Sequence, residues 1–229
     1  MAMRLYDLAG ADANLRFSPY CWRAKLALAH KGLAAETIPW RFTEKDAIAF
    51  SGQDRVPVLV DGSKTIPDSW AIATYLDEAY PDRPALFGGA AARAATRFLN
   101  SWADTVLNQG IVPLVALDVY RVIHPKDRDY FRTGREKRFG MTIEAYCADR
   151  DKWIAAFRQS LQPVRTTLAA QSYLAGERPA YADYIVFGGF QWARCVSTFP
   201  LLEADDPIVP WRDRMLDAFD GLARRAVAA

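Results

Sequence analysis

The stretch Val56-Pro57-Val58-Leu59-Val60-Asp61-Gly62-Ser63-Lys64-Thr65-Ile66 constrains the fold most. A β-branched run meets an Asp-Gly turn and then resumes, which predicts a two-stranded hairpin. Pro57 at the head of the first strand forbids a central ladder position there. Upstream, Leu5, Tyr6 and Leu8 form a short apolar run, followed by a polar, glycine-containing segment from Gly10 to Arg16. Ser18 then suits a helix N-cap and Pro19 the first helical position, with Trp22, Leu26, Ala29 and Leu33 at helical spacing and Gly32 as a stop. A second strand is expected over Glu36 to Arg41, and the polar stretch Thr43 to Phe50 forms at most a short helix. A further helix opens at Asp68-Ser69-Trp70, with Ile72, Leu76 and Ala79 on one face, and ends at Tyr80-Pro81.

The order βαβ(α)ββα within about 80 residues predicts a thioredoxin-like α/β domain. Pro81 to Gly89, with two prolines and two glycines, is the expected linker. Beyond Ala90 the chain turns alanine-rich and helical in period. The domains are therefore expected at 1–84 (α/β, thioredoxin-like) and 85–229 (all-α). Long helices are predicted near Ala91 to Tyr120, kinked at Pro113, and over Glu136 to Ala170, with others from Ala180 to Thr198 and Pro210 to Ala226.

Composition narrows the function classes. Lys and Arg total 29 against 27 Asp and Glu, a net charge of +2 that lacks the basic footprint of a nucleic-acid binder. Cys21, Cys147 and Cys195 are odd in number and widely spaced, which fits free thiols in a reducing, cytoplasmic setting. The opening residues carry neither a basic leader nor an apolar signal core, and no apolar run is long enough to span a membrane, so no membrane association is expected. His30 and His124 stand apart without companion ligands, which argues against a metal, and Gly88-Gly89 has no phosphate-loop partner downstream.

Ser18-Pro19-Tyr20-Cys21 has the spacing of a Cys-x-x-Cys pair with serine in the first position, so a dithiol mechanism is closed. A serine hydroxyl at a helix N-terminus can donate to a bound thiolate and lower its pKa; it can equally be a plain cap. Val56-Pro57 offers an exposed backbone N–H and C=O, or simply an edge-strand turn. Asp68-Ser69 presents a carboxylate for an ammonium and a hydroxyl for a carboxylate, or ordinary capping.

Together, Ser18-Pro19-Tyr20-Cys21-Trp22-Arg23, Arg55-Val56-Pro57-Val58-Leu59 and Asp68-Ser69-Trp70-Ala71-Ile72 before Tyr75-Leu76-Asp77 resemble the glutathione transferase superfamily. The resemblance implies glutathione as co-substrate, a cis Pro57, pairing of the Val56 backbone with the peptide, and Asp68 and Ser69 on the γ-glutamyl end. It implies that Ser18 activates the thiol and that Cys21 is a packed core thiol. Tyr20 and Arg55 join the glutathione-contacting set, Arg55 at the glycyl carboxylate, with Trp40 or Arg41 as weaker candidates there. A homodimer follows from the same resemblance.

Leu5-Tyr6-Asp7-Leu8, Tyr80-Pro81-Asp82-Arg83-Pro84 and Arg128-Asp129-Tyr130-Phe131-Arg132 with Arg135-Glu136-Lys137-Arg138-Phe139-Gly140 are similar to the bacterial glutathione-dependent β-etherase branch and its fungal relatives. The charged stretch reads as a solvated loop and helix start, or as a lid. Gly176 to Tyr184 resembles the family's capping segment of the core helix, with Ala180 where Ser or Thr is usual.

The expected function is transfer of a Ser18-stabilised glutathione thiolate to a small apolar, aromatic electrophile, with β-aryl ether cleavage as one version. Near Trp102 to Asn108 or Ile111 to Val115, the second domain is expected to line the electrophile pocket. A non-catalytic glutathione or hydrophobic-ligand binder and a glutathione-dependent isomerase are the alternatives. A Cys21-based thiol-disulfide oxidoreductase ranks lowest.

Overall fold

The computed structural model describes residues 3–229; Met1 and Ala2, part of the segment read as lacking a secretion leader, lie outside the described residues. Strand β1 (Met3–Leu8) buries Leu5 and Leu8 and leads through a loop to helix α1 (Pro19–His30). Ser18 caps that helix from an extended backbone, its Oγ accepting from the Cys21 N–H at 3.3 Å, and Pro19 follows at a position where the missing N–H costs nothing. β2 (Ala35–Trp40) lies parallel to β1, and a 3-10 turn spans Lys45–Ser51. β3 (Val58–Asp61) and β4 (Lys64–Pro67) form the hairpin, turning at Gly62 with φ +59°. β3 runs antiparallel to β1, so the sheet order is β2-β1-β3-β4, with α2 (Ser69–Ala79) after it. This is the expected thioredoxin-like arrangement, and an all-helical region follows it.

The segment expected as the linker connects α2 to the helical region and is anchored back on α2. Leu86 and Phe87 are buried, and their N–H groups donate to the Asp77 carboxylate at 2.8 and 3.3 Å. Pro and Gly mark the turns correctly, while the two apolar residues between them bolt the segment down.

The helix expected from Ala91 to Tyr120 is three pieces: α3 (Ala90–Trp102), a π-helical turn (Ala103–Leu107) and α4 (Asn108–Val122). The departure from α geometry falls at the π turn, ahead of Pro113, which sits buried inside α4. The helix expected over Glu136 to Ala170 is also divided, into α5 (Arg128–Phe139), α6 (Ile143–Tyr146), α7 (Arg150–Ser160) and α8 (Gln162–Ala170). Gly140, left-handed at φ +71°, stops the first of these, and Thr142 and Asp149 start new ones by capping.

α9 (Tyr181–Val196) is buried along almost its whole length and packs against α1. α10 (Ile208–Gly221) leaves helical conformation at Ala218, with Phe219 and Asp220 at φ +53° and +56°, so it stops well short of Ala226. At the start of α9, Ala180 has no side chain able to cap, and Asp183 takes over. Its Oδ1 accepts from the Leu174 N–H at 2.7 Å and the Trp211 indole at 2.8 Å; Oδ2 accepts from the Ala175 and Ala180 N–H groups, both at 3.1 Å. Burial pushes this carboxyl up from its ordinary range, and the four donors pull it back.

No helix among the described residues is long and apolar enough to cross a membrane. Cys21, Cys147 and Cys195 are all free and buried, and burial pushes each thiol up, Cys195 to about 11.

Candidate functional site

A cleft of 520 Å³ opens between the end of the sheet and the helices. One wall carries Ser18, Tyr20, Arg55 and Val56; the other is the inner faces of α4 and α5. Ser18 is only 3% exposed; its oxygen accepts from the Cys21 N–H, and the Cys21 thiol lies within hydrogen-bond reach of the same hydroxyl. Pro19 brings no N–H, Cys21 N–H is taken by Ser18 Oγ and Trp22 N–H by the Ser18 carbonyl, so among the described residues the Tyr20 N–H is the free first-turn donor at the positive end of α1.

The Val56–Pro57 peptide is cis, and among the described residues neither the N–H nor the C=O of Val56 has a hydrogen-bond partner. The Pro57 carbonyl accepts from the Asp68 N–H at 3.1 Å, which joins this turn to the start of α2. Asp68 holds φ +76°, an uncommon conformation for a residue with a side chain. Its Oδ1 accepts from the Trp70 and Ala71 N–H groups at 2.8 and 3.1 Å, while Oδ2 has no partner among the described residues. Next to it Ser69 is buried, and its carbonyl accepts from the Tyr181 hydroxyl at 2.7 Å, tying this corner to α9.

Pro57, Asp68 and Ser69 do not line the cleft itself; they sit at the cis turn and the α2 start beside it. Tyr20 lines the cleft, its phenol pushed up by burial and by Asp104. Arg55 also lines it, with a side chain 84% exposed and paired only with its neighbour Asp54 at 3.2 Å. Of the weaker candidates, Trp40 lines the cleft, its indole donating to the Glu44 carbonyl at 2.6 Å, while Arg41, outside the lining, donates to the Gly10 carbonyl at 3.1 Å. Cys21 is fully buried in the core, as expected of a packed thiol.

The helical side differs from its sequence reading. Trp102 to Asn108 or Ile111 to Val115 was the expected lining; of these Asn108 and Val112 reach the cleft, joined on α4 by Gln109, Ala116 and Val119. Ile111, Leu114 and Val115 turn inward and are fully buried. The charged stretch, expected as a solvated loop and helix start or a lid, is helix α5 throughout Arg128–Phe139, and its Phe131, Gly134, Arg135 and Arg138 form the far wall. Those positions recur at i, i+3, i+4 and i+7, a period the sequence carried, but the flanking charges masked it. Phe42, after β2, completes the apolar part, with ring centroids 5.7 Å from Phe131 and 6.4 Å from Tyr130. Asp127 fixes Phe42 by accepting from the N–H groups of Phe42 and Thr43, each at 3.1 Å.

α9 sets the position of the Ser18 cap from behind. A Cβ on Gly188 would lie 2.6 Å from the Pro19 carbonyl oxygen, so the two helices meet this closely only because residue 188 has no side chain. Arg23, one turn further along α1, is fully buried and donates to Asn100 at 3.0 Å and Asp104 at 2.8 Å. Gly188→Ala is expected to push the first turn of α1 away from α9, lowering stability by about 1–3 kcal/mol. Thermal unfolding should show the loss, and the first-turn shift should appear as a change in the near-ultraviolet signal of Trp22.

Comparison with known proteins bears on both halves. Residues 13–84 match the family model for the glutathione S-transferase N-terminal domain, and residues 94–205 the model for the C-terminal domain. Glutathione S-transferase Z1 of Arabidopsis thaliana is 38% identical over 109 residues, 45% of this chain and 48% of that protein, so the match spans about half the length of that curated relative. Glutathione S-transferase 4 of Zea mays is 26% identical over 216 residues, 92% of this chain and 86% of that one. The crystal structure of glutathione transferase GSTFuA3 from Phanerochaete chrysosporium superposes with a TM-score of 0.86 at 22% identity, covering 100% of this chain and 99% of the other. A glutathione S-transferase of Ceriporiopsis subvermispora in complex with glutathione gives 0.79 at 24% identity, over 98% and 94%. These two structural likenesses speak to the fold. With both domain models matched in order over most of its length, the chain belongs to the glutathione S-transferase superfamily.

Proposed function

We propose that this protein is a serine-type glutathione transferase, with the tripeptide along the cis-Pro turn and an aromatic electrophile in the cleft. The observation that carries the reading is the Ser18 hydroxyl: it lines the cleft, and its oxygen is already engaged by the Cys21 N–H. Accepting that bond leaves the hydroxyl with its proton to donate, and a sulfur anion at the α1 N-terminus outcompetes the neutral Cys21 thiol beside it as the acceptor.

In this reading the Val56 N–H and C=O pair with the cysteinyl portion of glutathione as a short antiparallel strand. Asp68 Oδ2 and the N-terminal end of α2 at Ser69 take the ammonium and carboxylate of the γ-glutamyl group. Arg55 and Tyr20 flank the remaining peptide. The Ceriporiopsis structure in complex with glutathione supports glutathione as the co-substrate. On binding, the thiol releases its proton to solvent, and Ser18 O–H with the helix dipole stabilises the thiolate. The sulfur then attacks the electrophilic carbon, forming a C–S bond as aryloxide or halide departs with its electron pair. Cleavage of β-aryl ethers is one version, supported by the sequence similarity to that branch. Pairing of two chains belongs to the same reading, to be checked by sedimentation; Phe98 on α3, 77% exposed, is the residue to watch.

The test is glutathione titration by calorimetry, with ultraviolet absorbance of the bound thiolate followed against pH. A bound thiol titrating well below the ordinary ~8.5 of a free thiol is expected for the wild type, and a return toward that value for Ser18→Ala. No binding, or an unshifted thiol in both proteins, sinks the transferase reading and leaves a binding-only relative. Thiol consumption during turnover separates a transferase from an isomerase, which consumes none.

A further inference from the structure

The inner face of α5 carries positive charge that the protein itself does not neutralise. Arg135 lines the cleft half-buried, with its guanidinium 4.9 Å from the centre of the Phe131 ring, and has neither an ion pair nor a hydrogen-bonded side chain among the described residues. Arg138, also lining the cleft, donates to the neutral amide of Gln109. The outer face of the same helix is different: Arg132 is held by Glu136 at 2.8 Å and Glu144 at 2.7 Å. Asp54 is the one acidic residue lining the cleft, and Lys45 at 3.3 Å and Arg55 at 3.2 Å already engage it. The groups facing Arg135 are Arg138, Tyr20 and Tyr130, none of them a carboxylate. A half-buried cation is costly unless something anionic meets it. Burial and the neighbouring Arg138 both push the Arg135 guanidinium below its ordinary range, the sign of a charge short of a counterion.

We propose that Arg135 and Arg138 form a subsite for an anionic substituent on the aromatic co-substrate, a carboxylate or sulfonate. Its ring packs against Phe42, Tyr130 and Phe131, and its electrophilic carbon faces Ser18. The proposal rests on the transferase reading and narrows its substrate class from apolar aromatic to anionic aromatic. Guanidinium forks suit planar carboxylates, and the apolar surround strengthens the pairing.

A matched pair of electrophiles tests this: 4-chloro-3-nitrobenzoate and its methyl ester. In both, the thiolate sulfur bonds to the ring carbon bearing chlorine, and chloride leaves with the bonding pair, giving a thioether. Each kcat/KM is divided by the uncatalysed rate constant with glutathione, so that intrinsic reactivity cancels. The wild type is expected to favour the benzoate over the ester by about ten-fold, the scale of one charge-assisted contact. Arg135→Gln should bring that ratio close to one, and Arg135→Lys should restore part of it. A second measurement needs no turnover: calorimetric titration of 4-chloro-3-nitrobenzoate into protein saturated with S-methylglutathione. There Arg135→Gln should weaken binding by a similar factor, whether or not the protein conjugates anything, which separates failure of the subsite from failure of the transferase reading. An equal benzoate-to-ester ratio in wild type and Arg135→Gln overturns the proposal. So does a weakening by Arg135→Gln of glutathione binding alone, which would assign the charge to the tripeptide.

Discussion

Ser18→Ala is expected to lower kcat/KM for conjugation by about 10²-fold near pH 6.5, the scale seen when one donor to a developing or bound anion is removed. The hydroxyl has two jobs in the structure, and they separate experimentally. As the α1 cap it accepts from the Cys21 N–H at 3.3 Å, and loss of that bond costs about 1 kcal/mol of stability. As a donor it stabilises the thiolate, and loss of that contact raises the pKa of the bound thiol. The sign of the pH dependence follows. Activity requires the thiolate, so kcat rises with pH through the thiol pKa of the complex and then levels off. In Ser18→Ala that limb moves to higher pH, so the deficit is large in mildly acidic solution and shrinks above about pH 9. Ser18→Thr keeps both an acceptor and a donor and should retain most of each. A variant whose pH profile coincides with that of the wild type would mean that the backbone at the α1 N-terminus holds the sulfur unaided.

Asp183→Ala carries the largest expected cost in stability. Four donors converge on this buried carboxylate: the N–H groups of Leu174, Ala175 and Ala180, and the Trp211 indole. Alanine leaves all four without partners in a region closed to water, at a cost of roughly 4 kcal/mol after relaxation. For a chain of this size that is about 8–16 °C in Tm. Asp183→Asn sharpens the measurement. Its amide oxygen can still serve Leu174 and Trp211, but its NH2 meets two further donors at Ala175 and Ala180, so about half the loss is expected. Urea unfolding of both variants checks the order. Equal stability of wild type and Asp183→Ala would show that the α9 start is held by packing of Tyr181 and Phe187 alone. Because α9 backs the α1 first turn through Gly188, Asp183→Ala should also weaken glutathione binding as temperature rises.

Local chemistry made the first half of the chain legible. The Asp61-Gly62 turn, the Ser18-Pro19 helix start and the Gly32 stop each act over a few residues, and all three fall where the sequence placed them. Ala180 was legible too, as a missing cap, although the reach of Asp183 to Trp211 was not. The helical half was less so. Apolar period continues across Gly140-Thr142, Asp149 and Leu161, so four helices looked like one; the first two breaks turn on a left-handed glycine and on caps at Thr142 and Asp149, the third on a turn at Leu161 with no side-chain cap.

By itself, the sequence determined the order of the elements in the first half, the α1 cap and the place of the Val56-Pro57 turn, because turn chemistry and hydrophobic period act between near neighbours. Only the tertiary structure decided the cleft: which face of α4 lines it, that Trp40 and Arg41 are already engaged, and that Arg135 and Arg138 face it without a carboxylate. These depend on helices separated by tens of residues meeting at particular angles. Whether a charge is neutralised is settled by what packs opposite it, which no local pattern records.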